Sequence, residues 1–111
     1  NDRGIVLAAV TQFGYALEYA SEELQDDREI VLAAVTQNGY TNALQEGIAL
    51  FYASQELRND REIVLTAVTH DGCAFEYANE ELNNDREIVL AAVTDNGWAL
   101  QFASQELRNE M

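Results

Sequence analysis

Asp27-Arg28-Glu29-Ile30-Val31-Leu32-Ala33-Ala34-Val35-Thr36 decides the fold, because the chain writes nearly the same segment four times. Its central run, IVLAAVT, occurs at Ile5–Thr11, Ile30–Thr36 and Ile88–Thr94, and Ile63–Thr69 differs only by Thr66. The Asp-Arg pairs begin at Asp2, Asp27, Asp60 and Asp85, with spacings of 25, 33 and 25 residues, so the unit is 25 residues long and the second copy carries 8 extra. Periods of this size mark solenoids, in which each unit buries its apolar face only against its neighbours.

Working outward from the run, Asp26 followed by Glu29 three positions later matches a capping box, and Asn59 with Glu62 and Asn84 with Glu87 repeat it. Helices are expected to begin there. At about 100° per residue, Ile30, Ala34, Val31, Val35 and Leu32 cover roughly 200° of arc and leave Ala33 outside, so the helix is predicted to be flanked on both sides. Thr66, the one substitution in the run, falls at the Ala33 position. Gly14, Gly39, Gly72 and Gly97 follow each run and are expected to end the helix in a left-handed residue. A second apolar pattern follows, with Ala16, Leu17, Tyr19 and Ala20 on one face. Glu23 interrupts its continuation, which predicts a break near Ser21 and a further short turn capped by that serine. A strand reading of the β-branched run is disfavoured by its central alanine pair, by the capping residues before it, and because a strand leaves Asp-Arg-Glu without a structural role.

Composition narrows the function. With 20 acidic residues against 6 arginines and no lysine, the net charge of −14 repels a phosphate backbone, so nucleic acid is not an expected partner. No apolar run approaches the roughly 20 residues needed to span a bilayer, so no membrane insertion is expected. The single cysteine, Cys73, forms no internal disulfide and demands no oxidising compartment, which points to the cytoplasm. The chain is expected to be one domain, 1–111, with repeats at about 1–25, 26–58, 59–83 and 84–109. Its opening at Asn1 and its stop where a fifth unit falls due lead to the expectation of a fragment of a longer array.

The run Asn84–Val93, followed by Asn96-Gly97-Trp98-Ala99-Leu100-Gln101-Phe102-Ala103-Ser104-Gln105-Glu106-Leu107, resembles the repeat of DUF4116, a domain of unknown function, and the likeness covers all four units. More loosely, the chain is similar to the leucine-rich-repeat-variant solenoids. The resemblance implies a helical repeat found in many-copy arrays of bacteria, unicellular eukaryotes and algae, with no catalytic residues to carry over. A host cytosol becomes the expected setting if the parent is a secreted bacterial effector. Gly4 departs from the pattern where the other units have Glu, so the first helix is expected to fray.

Candidate chemistry is thin. His70 and Cys73 are the only histidine and cysteine and lie three residues apart, which suggests a thiol-imidazole pair. Two ligands make neither a zinc site nor a catalytic centre, and both residues are variants at repeat positions, His70 aligning with Gln12, Gln37 and Asp95, and Cys73 with Tyr15, Tyr40 and Trp98. No catalytic residue, metal ligand or cofactor is therefore expected. Arg3, Arg28, Arg61 and Arg86 form a column expected to reach carboxylates of the neighbouring unit, an interaction of small worth when exposed. Tyr19, Tyr52, Tyr77 and Phe102 form a second column, read as core. Tyr15, Tyr40 and Trp98, directly after the glycines, and Phe51, at a position held elsewhere by Glu18, Glu76 and Gln101, are the candidate partner-binding residues. The insertion, at Tyr40–Gly47 or Thr41–Ile48, is expected to lengthen or split a helix and either cover Phe51 or join it in an exposed patch.

These readings combine into an all-α fold: a right-handed α-solenoid of four helix-turn-helix repeats of ~25 residues, the second with an 8-residue insertion. The expected role is a non-catalytic interaction scaffold with an acidic surface, binding a basic protein or other domains of its own parent chain. A structural spacer or packing subunit is the alternative, and a thiol enzyme using Cys73 and His70 the third reading.

Overall fold

The structure, a computed structural model, describes residues 2–36 and 48–110, and among the described residues it is helical with no strand. The expected insertion, together with Gly39 and Tyr40, lies outside the described residues apart from the helical backbone at Ile48. Each sequence unit opens with a long α-helix, at Arg3–Gln12, Arg28–Thr36, Arg61–His70 and Arg86–Asp95. A second segment follows, 3₁₀ at Gly14–Tyr19, Gly72–Tyr77 and Gly97–Phe102 and a short α turn at Ile48–Phe51. A closing helical turn ends each unit, at Glu22–Gln25, Leu57–Asn59, Glu80–Leu82 and Gln105–Glu110. The long helices pack one on the next in chain order, and the molecule measures 46 × 26 × 17 Å.

The helices start where Asp-Arg occurs, but one residue later than a capping box requires. Asp27, Asp60 and Asp85 are the caps, each carboxylate accepting the amide of the isoleucine three residues on, at 3.2, 3.1 and 3.2 Å. Asp2 caps the first helix in the same way, accepting from Gly4 at 2.9 Å and Ile5 at 3.2 Å, so that helix forms from Arg3 despite Gly4. Glu29, Glu62 and Glu87 consequently sit inside the first turn, free to serve the neighbouring unit. The break near Ser21 is present: Ser21, Ser54 and Ser104 hydroxyls accept the amides of Leu24, Leu57 and Leu107, and Asn79 takes the same place in unit 3 with the Glu81 amide.

Cap and glutamate together receive the arginine of the preceding unit. Arg3 Nε donates to Asp27 at 2.7 Å while its Nη2 bonds Glu29; Arg28 does the same to Asp60 at 3.0 Å and Glu62, and Arg61 to Asp85 at 2.6 Å and Glu87. Arg86 bonds Glu110, which stands in the register of the cap aspartates, at 2.9 Å. Helix N-termini thus lie beside helix N-termini. Between units 3 and 4 the opposite ends also meet, the Gly72 amide donating to Asp95 at 2.7 Å and Asn96 Nδ2 to Cys73 Sγ at 2.8 Å, so the helices run in the same sense. Side-by-side helices of one sense crowd their positive ends together, and the carboxylates at that edge offset this. Backbone bonds fasten the closing turns, the amides of Ser54, Asn79 and Ser104 donating to the carbonyls of Gln25, Arg58 and Asn83 at 2.9, 2.9 and 2.8 Å.

The ladder makes stability pH-dependent. Hydrogen bonds from Arg3 and Arg61 hold the Asp27 and Asp85 carboxyls below the usual carboxylate range; at Asp60 burial opposes the shift, and the bonds from Arg28 and the Ile63 amide outweigh it. A carboxyl depressed on folding stabilises the fold above its unfolded pKa, and that contribution is lost as pH falls through the folded value. Arg61→Ala is therefore expected to move the acid-unfolding midpoint, followed by circular dichroism, to higher pH, and to change stability less at pH 3 than at pH 7. An unchanged midpoint would show that the fork does not act on the carboxylate.

Two corrections concern packing. Gly14, Gly72 and Gly97 are not left-handed, and the residues ending the long helices, Phe13, Asp71 and Asn96, are extended. Glycine is needed for room: a Cβ at Gly14 would lie 2.2 Å from the Ala34 carbonyl oxygen, and one at Gly72 2.3 Å from that of Ala92, the same contact in two interfaces. The second correction concerns which face each apolar residue serves. Ile30, Ile63 and Ile88 are fully buried, yet Ile5 is 69% exposed, so this position packs on the preceding unit. Leu32 and Leu65 are half-buried and Leu90 is 53% exposed, so the leucine packs on the following one. Leu90 was expected to be as covered as Leu32, and it is not: among the described residues no helix packs on that side of Arg86–Asp95.

Candidate functional site

The second segments carry the exposed aromatic residues. A 3₁₀ turn of three residues places i and i+3 over each other, so a narrow strip, Gly14 with Leu17 and Gly72 with Phe75, faces the core. Tyrosines outside that strip are only partly covered. Tyr52, Tyr77 and Phe102 are half-buried at the rim of the core, and Tyr19 is 79% exposed among the described residues; the expectation of a core column fails at Tyr19.

Phe51 is 47% exposed and is held by two edge-on rings, Tyr52 at a centroid distance of 5.1 Å and Tyr77 of the next unit at 5.3 Å. The polar position predicted for it is where it lies, and its aromatic neighbours across the unit boundary are the described part of its cover. Burial and then the Glu18 carboxylate push the Tyr52 phenol up, and burial and then Glu76 do so at Tyr77. Both phenols therefore stay protonated around neutrality, and both have a carboxylate beside them. Arg58, Tyr77, Asn79 and Glu80 line a shallow pocket next to this ridge, where Arg58 Nε is buried without a hydrogen-bond partner.

The other candidates do not join Phe51. Tyr15 is half-buried, its ring tilted against Phe13 at 5.8 Å. Trp98 is 80% exposed, whereas its counterparts Tyr15 and Cys73 are half-buried, Cys73 beside Asn96 of the following unit. Tyr40 lies outside the described residues. Sequence reasoning missed Tyr52 and Tyr77 as members of the surface, since an α-helical wheel puts them with Leu50 and Phe75; at Tyr77 the segment Gly72–Tyr77 is wound as 3₁₀, which that wheel does not describe.

Cys73 and His70 have separate ties. Cys73 Sγ accepts from Asn96, and His70 Nδ1 lies 2.9 Å from the Thr66 carbonyl on its own helix. Among the described residues no three His, Cys, Asp or Glu side chains are grouped to hold a metal ion, and no helix is long and apolar enough to cross a membrane.

The family model described as a domain of unknown function (DUF4116) matches residues 2–58, 42–82 and 60–108. Neither the curated proteins nor the solved structures contain a match.

Proposed function

The chain belongs to the DUF4116 family of domains of unknown function, and from that premise we propose that it is a non-catalytic interaction scaffold, a right-handed α-solenoid of four helix-turn-helix repeats that binds another protein. The observation that carries the reading is the ridge of Phe51, Tyr52 and Tyr77, half-open to solvent and bordered by Glu18 and Glu76. Rigid aromatic rings are favoured binding anchors, and rings beside carboxylates suit a Lys or Arg side chain through combined cation–π and ionic contact. A basic protein segment with apolar neighbours is the partner that fits, and the net charge of −14 steers it in while repelling nucleic acid. The proposed setting is the cytoplasm, since one cysteine calls for no oxidising compartment.

Affinity capture with the chain and with its Phe51→Glu variant, compared by mass spectrometry, tests this. A basic protein held by the first and released by the second is the expected result, with retention weakening as salt rises. Proteins retained equally by both would remove the ridge from the interaction. Alkylation of Cys73 is expected to leave capture intact, and its loss would favour a thiol function. The run of arginine forks from unit 1 to unit 4 favours a structural spacer as the second reading, which predicts no partner released by Phe51→Glu.

A further inference from the structure

We propose that the shallow pocket at Arg58 is a carboxylate subsite, and that the partner segment on the aromatic ridge places a carboxyl group there. The occupant rests on the ridge reading, because Tyr77 belongs to both places: it lines the pocket and packs on Phe51 at a centroid distance of 5.3 Å.

Arg58 is unlike the arginines of the ladder. Arg3, Arg28 and Arg61 each turn the Nε edge to an aspartate, Nε and Nη2 donating to its two oxygens at 2.7 and 3.2, 3.0 and 3.4, and 2.6 and 3.3 Å. The same edge of Arg58 has no acceptor: Nε is buried without a hydrogen bond, and among the described residues no carboxylate pairs with this side chain. Folded proteins rarely leave a buried donor so.

The other units meet the same position differently. Gln25, the counterpart of Arg58 in unit 1, turns inward and donates to the Leu17 carbonyl at 3.0 Å. Three residues earlier, units 1 and 3 carry Glu22 and Glu80 ahead of Gln25 and Asn83, whereas units 2 and 4 carry Gln55 and Gln105 ahead of Arg58 and Arg108. Glutamate at that spacing would pair with arginine on one turn, yet an amide stands wherever the arginine does. Arg58 is thus left uncompensated by its own turn, and the amides of Gln55 and Asn79, which line the pocket, add hydrogen-bond donors. Rotation of the half-buried Arg58 side chain onto a carboxylate forms the fork seen in the ladder and satisfies Nε. Glu80 also lines the pocket and opposes a free anion, so the site favours a carboxylate delivered on a segment whose cation lies beside Glu18 and Glu76.

Two measurements test this. Sodium acetate titrated into the isotope-labelled chain is expected to move the Arg58 Nε–H resonance downfield and to saturate, while sodium chloride at equal ionic strength leaves it in place. No saturable shift, or tighter binding of inorganic phosphate, overturns the carboxylate assignment. Three short peptides of alternating Lys and Leu are then compared: one amidated, one ending in a free carboxylate, and one amidated with a single Glu in place of Leu. The net charge of −14 favours the first, which is the most positive, so a preference for either of the others comes from a local cation. The better carboxylate peptide is expected to bind about fivefold tighter than the first, and which one it is tells a chain terminus from a side chain. That difference is expected to vanish in Arg58→Gln, its fold verified by circular dichroism, and to grow in Glu80→Gln. Tightest binding of the first peptide overturns the proposal. If no peptide binds while acetate still shifts Arg58, the ridge reading fails and the subsite stands; if the peptides bind equally and acetate has no effect, the subsite fails and the ridge stands.

Discussion

Gly72→Ala is expected to destabilise the chain by about 3 kcal/mol, near the upper end for overpacking, while Gly97→Ala changes stability by less than about 0.5 kcal/mol. The two glycines occupy the same repeat position, so no local propensity separates them. A methyl on Gly72 would stand 2.3 Å from the Ala92 carbonyl oxygen, and backbone on both sides leaves no flexible side chain to yield. The units must move apart, which opens the contact between Phe75 and its surroundings and loosens the Gly72 amide from Asp95. At Gly97 the same methyl enters open space. Urea unfolding of the two variants measures the difference directly. Equal stabilities would mean that the close approach of units 3 and 4 is not a feature of the folded protein.

Ile63→Asp is expected to leave the chain largely unfolded at 25 °C, and Leu90→Asp to leave it folded. Ile63 has no exposed surface and is packed between its own unit and the preceding one, so its carboxylate would be buried without a partner, at a cost of several kcal/mol against a total stability of about 5–15 kcal/mol. Leu90 is 53% exposed, so a carboxylate there keeps its water. This reverses the sequence-based expectation for Leu90, which took every leucine of the run as flanked on both sides. Thermal unfolding followed by circular dichroism decides it: a native-like transition for Ile63→Asp, or a collapsed one for Leu90→Asp, would mean that the assignment of faces is wrong.

Much of the architecture was legible because repetition averages out local ambiguity. The helical reading of Ile30–Thr36, the break at Ser21, the arginine column reaching carboxylates one unit on, and the exposed register of Phe51 all follow from residue type and spacing. The cap was misplaced by one residue because Asp26, Asp27 and Glu29 offer two registers that differ only in whether the glutamate looks back along its own helix or across to the next arginine. Sequence spacing within one segment is blind to that arginine. The glycines were misread for a similar cause: a helix C-terminus explains Gly14 and Gly72 locally, whereas the Ala34 and Ala92 carbonyls that exclude a side chain lie 20 residues further along the chain.

The candidate surface was half legible. Phe51 was singled out because it breaks a polar column, and a single position is enough to see that. Its neighbours Tyr52 and Tyr77 were hidden in a column that looks like core; at Tyr77 the winding of the second segment, three residues per turn in place of 3.6, turns the ring toward the rim, and Tyr52 stands just past the end of the α turn Ile48–Phe51.

By itself the sequence determined the helical unit, where its long helix begins to within a residue, and the arginine column that joins one unit to the next, because these depend on residue types at fixed short spacings. What only the tertiary structure decided is which copies of identical residues are buried. Ile5 and Ile63, Leu65 and Leu90, Gly72 and Gly97 are the same residues in the same local context, and they differ because burial in a stack comes from the neighbour. A residue's own segment sets which way it faces; whether anything stands there is a property of its place in the array.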